Sequence, residues 1–336
     1  MVSTPVERGD RETRRTVSVA LAANVVIVVT KIAAAAVTGS PALISEAAHS
    51  VADTVNELLL LAALARSGRQ ADELHPFGYG KARYFYALLA AVGIFVTGAC
   101  FSFYQGVRAF SATEVETSFY PLAYAVLAVS VAADGTSLVR ASRQALSQVP
   151  PGPHRVRRLV RAERDPTLST VLAEDSTAVT GVALAAAGLA AHQLTGDGRY
   201  EAWAALAIAA LLAMTAVRLG RAAEGLVIGQ AAPGALVRDA YLTLDERPEV
   251  DTILQFLTMR MGPDDILLAA RIDLADGMDS DGVEAACGRV KSAMTDAYPQ
   301  LSQIFLDITD ATQDDRVRSA ARRHAVQASG GQREKR

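Results

Sequence analysis

Cysteine is nearly absent. Only Cys100 and Cys287 occur in 336 residues. They fall in different predicted domains, so no disulfide is expected between them, and no CxxC pair offers a metal knuckle. A surplus of one charge sign is also missing. The net charge is −3, which gives no general attraction to nucleic acid. Aromatics are scarce at 6% although 51% of the chain is hydrophobic, so alanine, valine and leucine supply most of the apolar surface. No GxxxxGKT loop is present, which argues against an ATP motor of that type. The opening stretch MVSTPVERGDRETRR lacks a short apolar core followed by a small-residue cleavage site, so no cleaved signal peptide is expected.

What the chain has is long apolar runs. A bilayer core of roughly 30 Å needs about 20 mostly apolar helical residues. Six stretches approach that length, at 16–38, 42–65, 84–107, 119–140, 168–192 and 201–219. Their small residues allow close helix packing in lipid. Lys and Arg alternate across the connections. Arg8, Arg11, Arg14 and Arg15 precede the first run; Arg66, Arg69, Lys81 and Arg83 follow the second; Arg143, Arg155, Arg157, Arg158, Arg161 and Arg164 follow the fourth. The intervening connections hold only Arg108 and Arg199. The positive-inside bias predicts an α-helical polytopic membrane protein with six transmembrane helices and both termini cytoplasmic.

After Gly220 the pattern changes. Residues 233–247 read as a helix, and TILQFLTMRM and DILLAARIDLA read as strands around an MGPDD turn. In the second strand Ile266, Leu268, Ala270, Ile272 and Leu274 alternate with more polar neighbours. Residues 280–297 put Val283, Cys287, Val290 and Met294 on one helical face, and SQIFLDIT alternates again. The expected domains are an arm at 1–15, a transmembrane domain at 16–220, a cytoplasmic α+β domain at 232–310, and a disordered basic tail at 311–336.

The stretch SEAAHSVADTVNELLL, residues 45–60, places Glu46, His49, Asp53, Asn56 and Glu57 inside the second run. His49 and Asp53 share a helix face and can bind one divalent cation. VLAEDSTAVTG in the fifth run adds Glu174 and Asp175. Ionisable residues at membrane depth suggest an ion or proton path. Plainer readings stand beside this one. A lone intramembrane histidine is often a hydrogen-bonded packing residue. Glu46 and Asn56 suit helix–helix hydrogen bonding, and Glu57 suits a wet cavity. Lys31 either snorkels or pairs with an acid. His192, His154 and His324 read as solvated.

SPALISEAAHSVADTVNELLLL resembles the second span of the cation diffusion facilitator (zinc transporter) family, and DELHPFGYGKARYFYALLAAVG resembles the loop and third span that follow. EGLVIGQAAP resembles the short linker into that family's cytoplasmic domain, and EDSTAVTG is most similar to the branch that includes the mitochondrial zinc transporter nine. The resemblance implies a ferredoxin-like C-terminal domain that pairs in a homodimer. It implies a metal site at His49, Asp53 and Asp175 that exports zinc in exchange for protons, with no cofactor. The family's usual fourth position is Val171 here, and Glu174 is placed either to join the shell or to relay protons. Asp72 and His75 match a loop metal site of some members, whose third ligand is replaced by Tyr79. Asp307 stands where some relatives place a histidine of the cytoplasmic domain, and 232–310 contains no histidine. Fewer imidazoles and more oxygens keep manganese, iron or cobalt open as cargo. Two readings from other classes remain. An intramembrane metalloenzyme would need a base beside the metal as in HExxH, which His49-Ser-Val-Ala-Asp53 lacks. A transport-inactive regulatory protein would fit Val171 and Tyr79.

Overall fold

The computed structural model describes residues 24–111, 117, 119–147 and 166–334. The predicted arm, the start of the first run and His154 lie outside the described residues. The chain is mostly helical and divides into two units, one comprising 1–65 and 84–224, the other 66–83 and 225–336.

The first unit is built from α1 (Asn24–Thr38), α2 (Pro41–Ser67), α3 (Ala82–Ser111), α4 (Tyr120–Ser147), α5 (Pro166–Thr195) and α6 (Arg199–Ile228). Among the described residues, α3, α4, α5 and α6 are long and apolar enough to cross a membrane. The other two predicted spans differ for separate reasons. The described part of α1 is short, and the acids of α2 lower its hydropathy although it runs for 27 residues. All six helices share one core. Ala35 of α1, Leu43 and Ala47 of α2, Ile94 of α3, Leu127 of α4, Val182 and Leu189 of α5, and Ile208 and Leu212 of α6 are buried together. Most of these are small or β-branched, so backbones come close. At Gly98, in a π-helical stretch of α3 (Ile94–Cys100), a Cβ would sit 3.1 Å from Leu212.

One end of this unit is closed by a buried polar knot. Glu201 is 0% exposed and accepts from Ser40, from Thr117 at 2.8 Å and from His192 Nδ1 at 2.5 Å. His192 was expected in solvent. It is buried because a carboxylate at the start of α6 needs donors, and the last turn of α5 supplies one.

The second unit continues with α7 (Gly234–Asp245), β1 (Val250–Arg260), β2 (Ile266–Leu274), α8 (Ser280–Ala297), β3 (Leu301–Ile308) and α9 (Gln313–Glu334). The strands lie in the order β1-β2-β3, antiparallel then parallel. The parallel pair follows from the α8 crossover. The alternation read in β2 is the burial pattern: Ile266, Leu268, Ala270, Ile272 and Leu274 all face a core completed by Leu244, Val290 and Met294. Asp279 caps α8 by accepting from the Gly282 amide at 2.9 Å. Glu249, hydrogen-bonded by Arg289 at 2.8 Å, is held below the usual glutamate range chiefly by that bond.

Two predicted boundaries change. Residues 66–83 belong with this unit: Phe77 meets Phe305 edge-on at 6.3 Å, and a Cβ at Gly80 would lie 2.5 Å from the Met261 carbonyl oxygen. The tail expected to be disordered is the helix α9. Thr312 and Asp315 form a reciprocal cap, with Asp315 N donating to Thr312 Oγ1 at 3.3 Å and Thr312 N to Asp315 Oδ2 at 3.1 Å. Arg316 then binds Asp251, and Asp273 at 2.9 Å, while Arg323 binds Asp245 at 2.7 Å. Ion pairs, with Val326 against the core, hold a helix whose composition has no strong apolar stripe.

Asp273→Ala removes one anchor of Arg316. Trypsin cleavage at Arg318 and Arg322 of the purified protein is expected to rise about tenfold, the loss of one charge-assisted hydrogen bond. Equal cleavage rates would show that α9 does not depend on this contact.

Candidate metal site

α2 carries its polar residues on one face because 46, 49, 53, 56 and 57 recur at three- and four-residue spacing. The deepest of them is Glu46. It is 0% exposed, and Lys31 of α1, 2% exposed, donates to its Oε2 at 3.0 Å and to Ser50 Oγ at 2.7 Å. Lys31 therefore pairs with an acid rather than snorkelling. The other oxygen, Glu46 Oε1, is buried with no hydrogen-bond partner among the described residues.

One turn further along the same face stands His49, 4% exposed, with both ring nitrogens buried and unpartnered among the described residues. Its Nε2 is 3.6 Å from Asp53 Oδ2, too long for a hydrogen bond. Two nitrogens left without partners inside a helix bundle are costly, and a neutral imidazole in that state is ready to take a cation. Gly181 of α5 makes the space. A Cβ there would fall 2.5 Å from Glu46 Oε1, an overlap, and 4.0 Å from His49 Cδ2, an ordinary contact, so the glycine serves the close approach of α5 to Glu46.

The α5 acids divide between neighbours. Glu174 Oε1 accepts from Asn56 of α2 at 3.3 Å. Asp175 Oδ2 accepts from Ser137 of α4 at 2.8 Å. Glu57 Oε1 accepts from Asn24 of α1 at 2.5 Å. Asp175, Glu174 and Asp134 of α4 all lie within electrostatic reach of Asp53. Among the described residues, no three His, Cys, Asp or Glu side chains are drawn together in a group that would hold a metal. His49 and Asp53 are adjacent as their spacing predicts. Asp175 is turned to α4, and Glu174 makes the direct bond to α2.

The loop pair is used differently. Asp72 Oδ1 accepts from the backbone amides of His75 at 2.8 Å and Leu74 at 3.1 Å, and Tyr79 donates to Asp72 Oδ2 at 2.6 Å. The Tyr79 bond, above all, lowers the Asp72 carboxyl below its usual range. His75 stacks on the Tyr79 ring at 4.2 Å, with Arg66 and Arg69 over that ring at 5.3 and 5.4 Å. Tyr79, which replaces the expected third ligand, thus ties Asp72 and His75 into a turn. Sequence reading offered Lys31 an acid partner without identifying Glu46, and missed the part played by Gly181. The position of Lys31 in an apolar run was the available signal for the first.

The family model for the cation efflux transmembrane domain matches residues 17–223. The chain belongs to the cation efflux family. It is 31% identical to metal tolerance protein C4 of Arabidopsis thaliana over 272 residues, covering 80% of this chain and 58% of the relative. It is 32% identical to the mitochondrial proton-coupled zinc antiporter SLC30A9 of Xenopus laevis over 238 residues, covering 70% of this chain and 42% of the relative. The human SLC30A9 is 30% identical over 237 residues, with 70% and 41% covered. The chain thus spans about two fifths to three fifths of the length of these relatives.

The buried pair makes a thermodynamic prediction. Lys31→Met leaves Glu46 charged and alone, and is expected to lower the stability of the detergent-solubilised protein by about 3–5 kcal/mol. Adding Glu46→Gln should recover most of that loss in the same thermal unfolding measurement. A double variant no more stable than the single one would contradict the pairing.

Proposed function

We propose that this protein is a multi-pass secondary transporter that exports a divalent cation, zinc in the first instance, in exchange for protons. The observation that carries the reading is His49: an imidazole buried between helices, with neither ring nitrogen partnered, one turn from Asp53. His49, Asp53 and Asp175 are the proposed metal-binding residues, with Glu174 joining the shell or relaying protons. α1 and α2 complete a bundle of six spans, both termini face the cytoplasm, and the membrane is a bacterial cytoplasmic membrane. The α+β unit is read as a ferredoxin-like domain through which two copies pair. The similarity to mitochondrial proton-coupled zinc antiporters supports the choice of cargo and of protons.

The arrangement suggests how exchange works. Metal binding requires a neutral imidazole and ionised carboxylates, so protons and metal compete for the same groups. A rocking motion that changes the exposure of α2 relative to α5 lets metal bind on one side and protons displace it on the other. Asn56–Glu174 and Ser137–Asp175 are the contacts such a motion has to remake. The donor set is rich in oxygen and holds one imidazole, and this favours manganese, iron or cobalt as the second reading of the cargo.

Proteoliposomes holding the wild-type chain should take up zinc while protons leave and the internal pH rises. Asp53→Ala should reduce both signals at least tenfold, the usual scale for losing a charged ligand. Full exchange by Asp53→Ala would sink the proposed site.

A further inference from the structure

The position where many relatives place a fourth ligand is Val171 here, so one donor is missing from the α5 side. A candidate replacement lies on α2. Glu46, His49 and Asp53 are at i, i+3 and i+7, one helical face. Glu46 Oε1 and His49 Nε2 are both buried and have no hydrogen-bond partner among the described residues. Both residues pack against the same glycine of α5, Gly181: Glu46 Oε1 is 2.5 Å and His49 Cδ2, bonded to Nε2, is 4.0 Å from the place a Cβ would occupy. His49 Nε2 in turn faces Asp53.

A fully buried carboxylate with one idle oxygen needs an explanation. A purely structural ion pair would gain from engaging both oxygens, because an unsatisfied buried acceptor carries its whole desolvation penalty. Lys31 and Ser50 do the opposite. Lys31 Nζ binds Oε2 and is itself fixed by Ser50 Oγ, so the carboxylate is oriented with Oε1 free.

We propose that Glu46, through Oε1, is a further ligand for the transported divalent cation, and that Lys31 orients it from the opposite oxygen. The inference rests on the site proposed above. The pair contributes an oxygen donor without adding net negative charge, because Lys31 neutralises Glu46. The charge available to balance the cation therefore stays with Asp53 and the α5 acids. Binding has to draw Glu46, His49 and Asp53 together, because among the described residues no three such side chains form a group that would hold a metal.

Zinc binding by the purified full chain, measured by calorimetry in detergent, tests this. The variants are Lys31→Met/Glu46→Gln, which removes the ligand and its counter-charge together, and Asp53→Ala. Circular dichroism and size-exclusion elution confirm that each is folded. The double variant should bind zinc at least about tenfold more weakly than wild type while unfolding at a similar temperature, and Asp53→Ala should also be weakened. If the double variant binds as wild type does while Asp53→Ala is weakened, the role of Glu46 is overturned and the His49–Asp53 site survives. If the wild-type protein binds no zinc, manganese, iron or cobalt, both the site and this extension of it fall.

Discussion

Lys31 and Glu46 meet at 3.0 Å inside the helix bundle, both almost wholly buried, and the pair joins α1 to α2. A buried ion pair stabilises little against an apolar alternative, so its presence calls for a use beyond stability. Here it fixes α1 to α2 and orients a carboxylate whose second oxygen stays idle beside His49. The glycine at 181 then lets α5 close over the same corner.

Around that fixed corner the remaining polar contacts are single hydrogen bonds between neighbouring helices. Asn24–Glu57 joins α1 to α2, Asn56–Glu174 joins α2 to α5, and Ser137–Asp175 joins α4 to α5. At the other end, Glu201 gathers Ser40, Thr117 and His192. The bundle is therefore knotted tightly at one end and linked loosely along the acidic face.

Much of this was legible in the chain. The three- and four-residue spacing of polar groups in 45–60 placed them on one face, and period-two alternation marked the core positions of β2, although Asp273, read as an outward alternate, is buried too. What periodicity cannot report is which acid meets which helix. Glu174 and Asp175 are adjacent, about 100° apart around α5, and only packing decides that the first faces α2 and the second α4. Composition misled at 311–336, because a helix held by a reciprocal cap and by Arg316 and Arg323 needs no apolar stripe. It misled at His192 for a related reason: its partner Glu201 lies on the next helix, and local sequence carries no sign of the pairing. At the loop, Tyr79 donates to Asp72 and lies against His75, contacts that their spacing alone does not reveal.

The central claim is that His49 takes the cation as a single imidazole among oxygen donors. X-ray absorption at the zinc edge, on the zinc-loaded full chain, tests it most directly. The account predicts a first shell with one imidazole and otherwise oxygen, whose imidazole signature disappears in His49→Gln. A shell containing several imidazoles or sulfur, or one unchanged in His49→Gln, would contradict it.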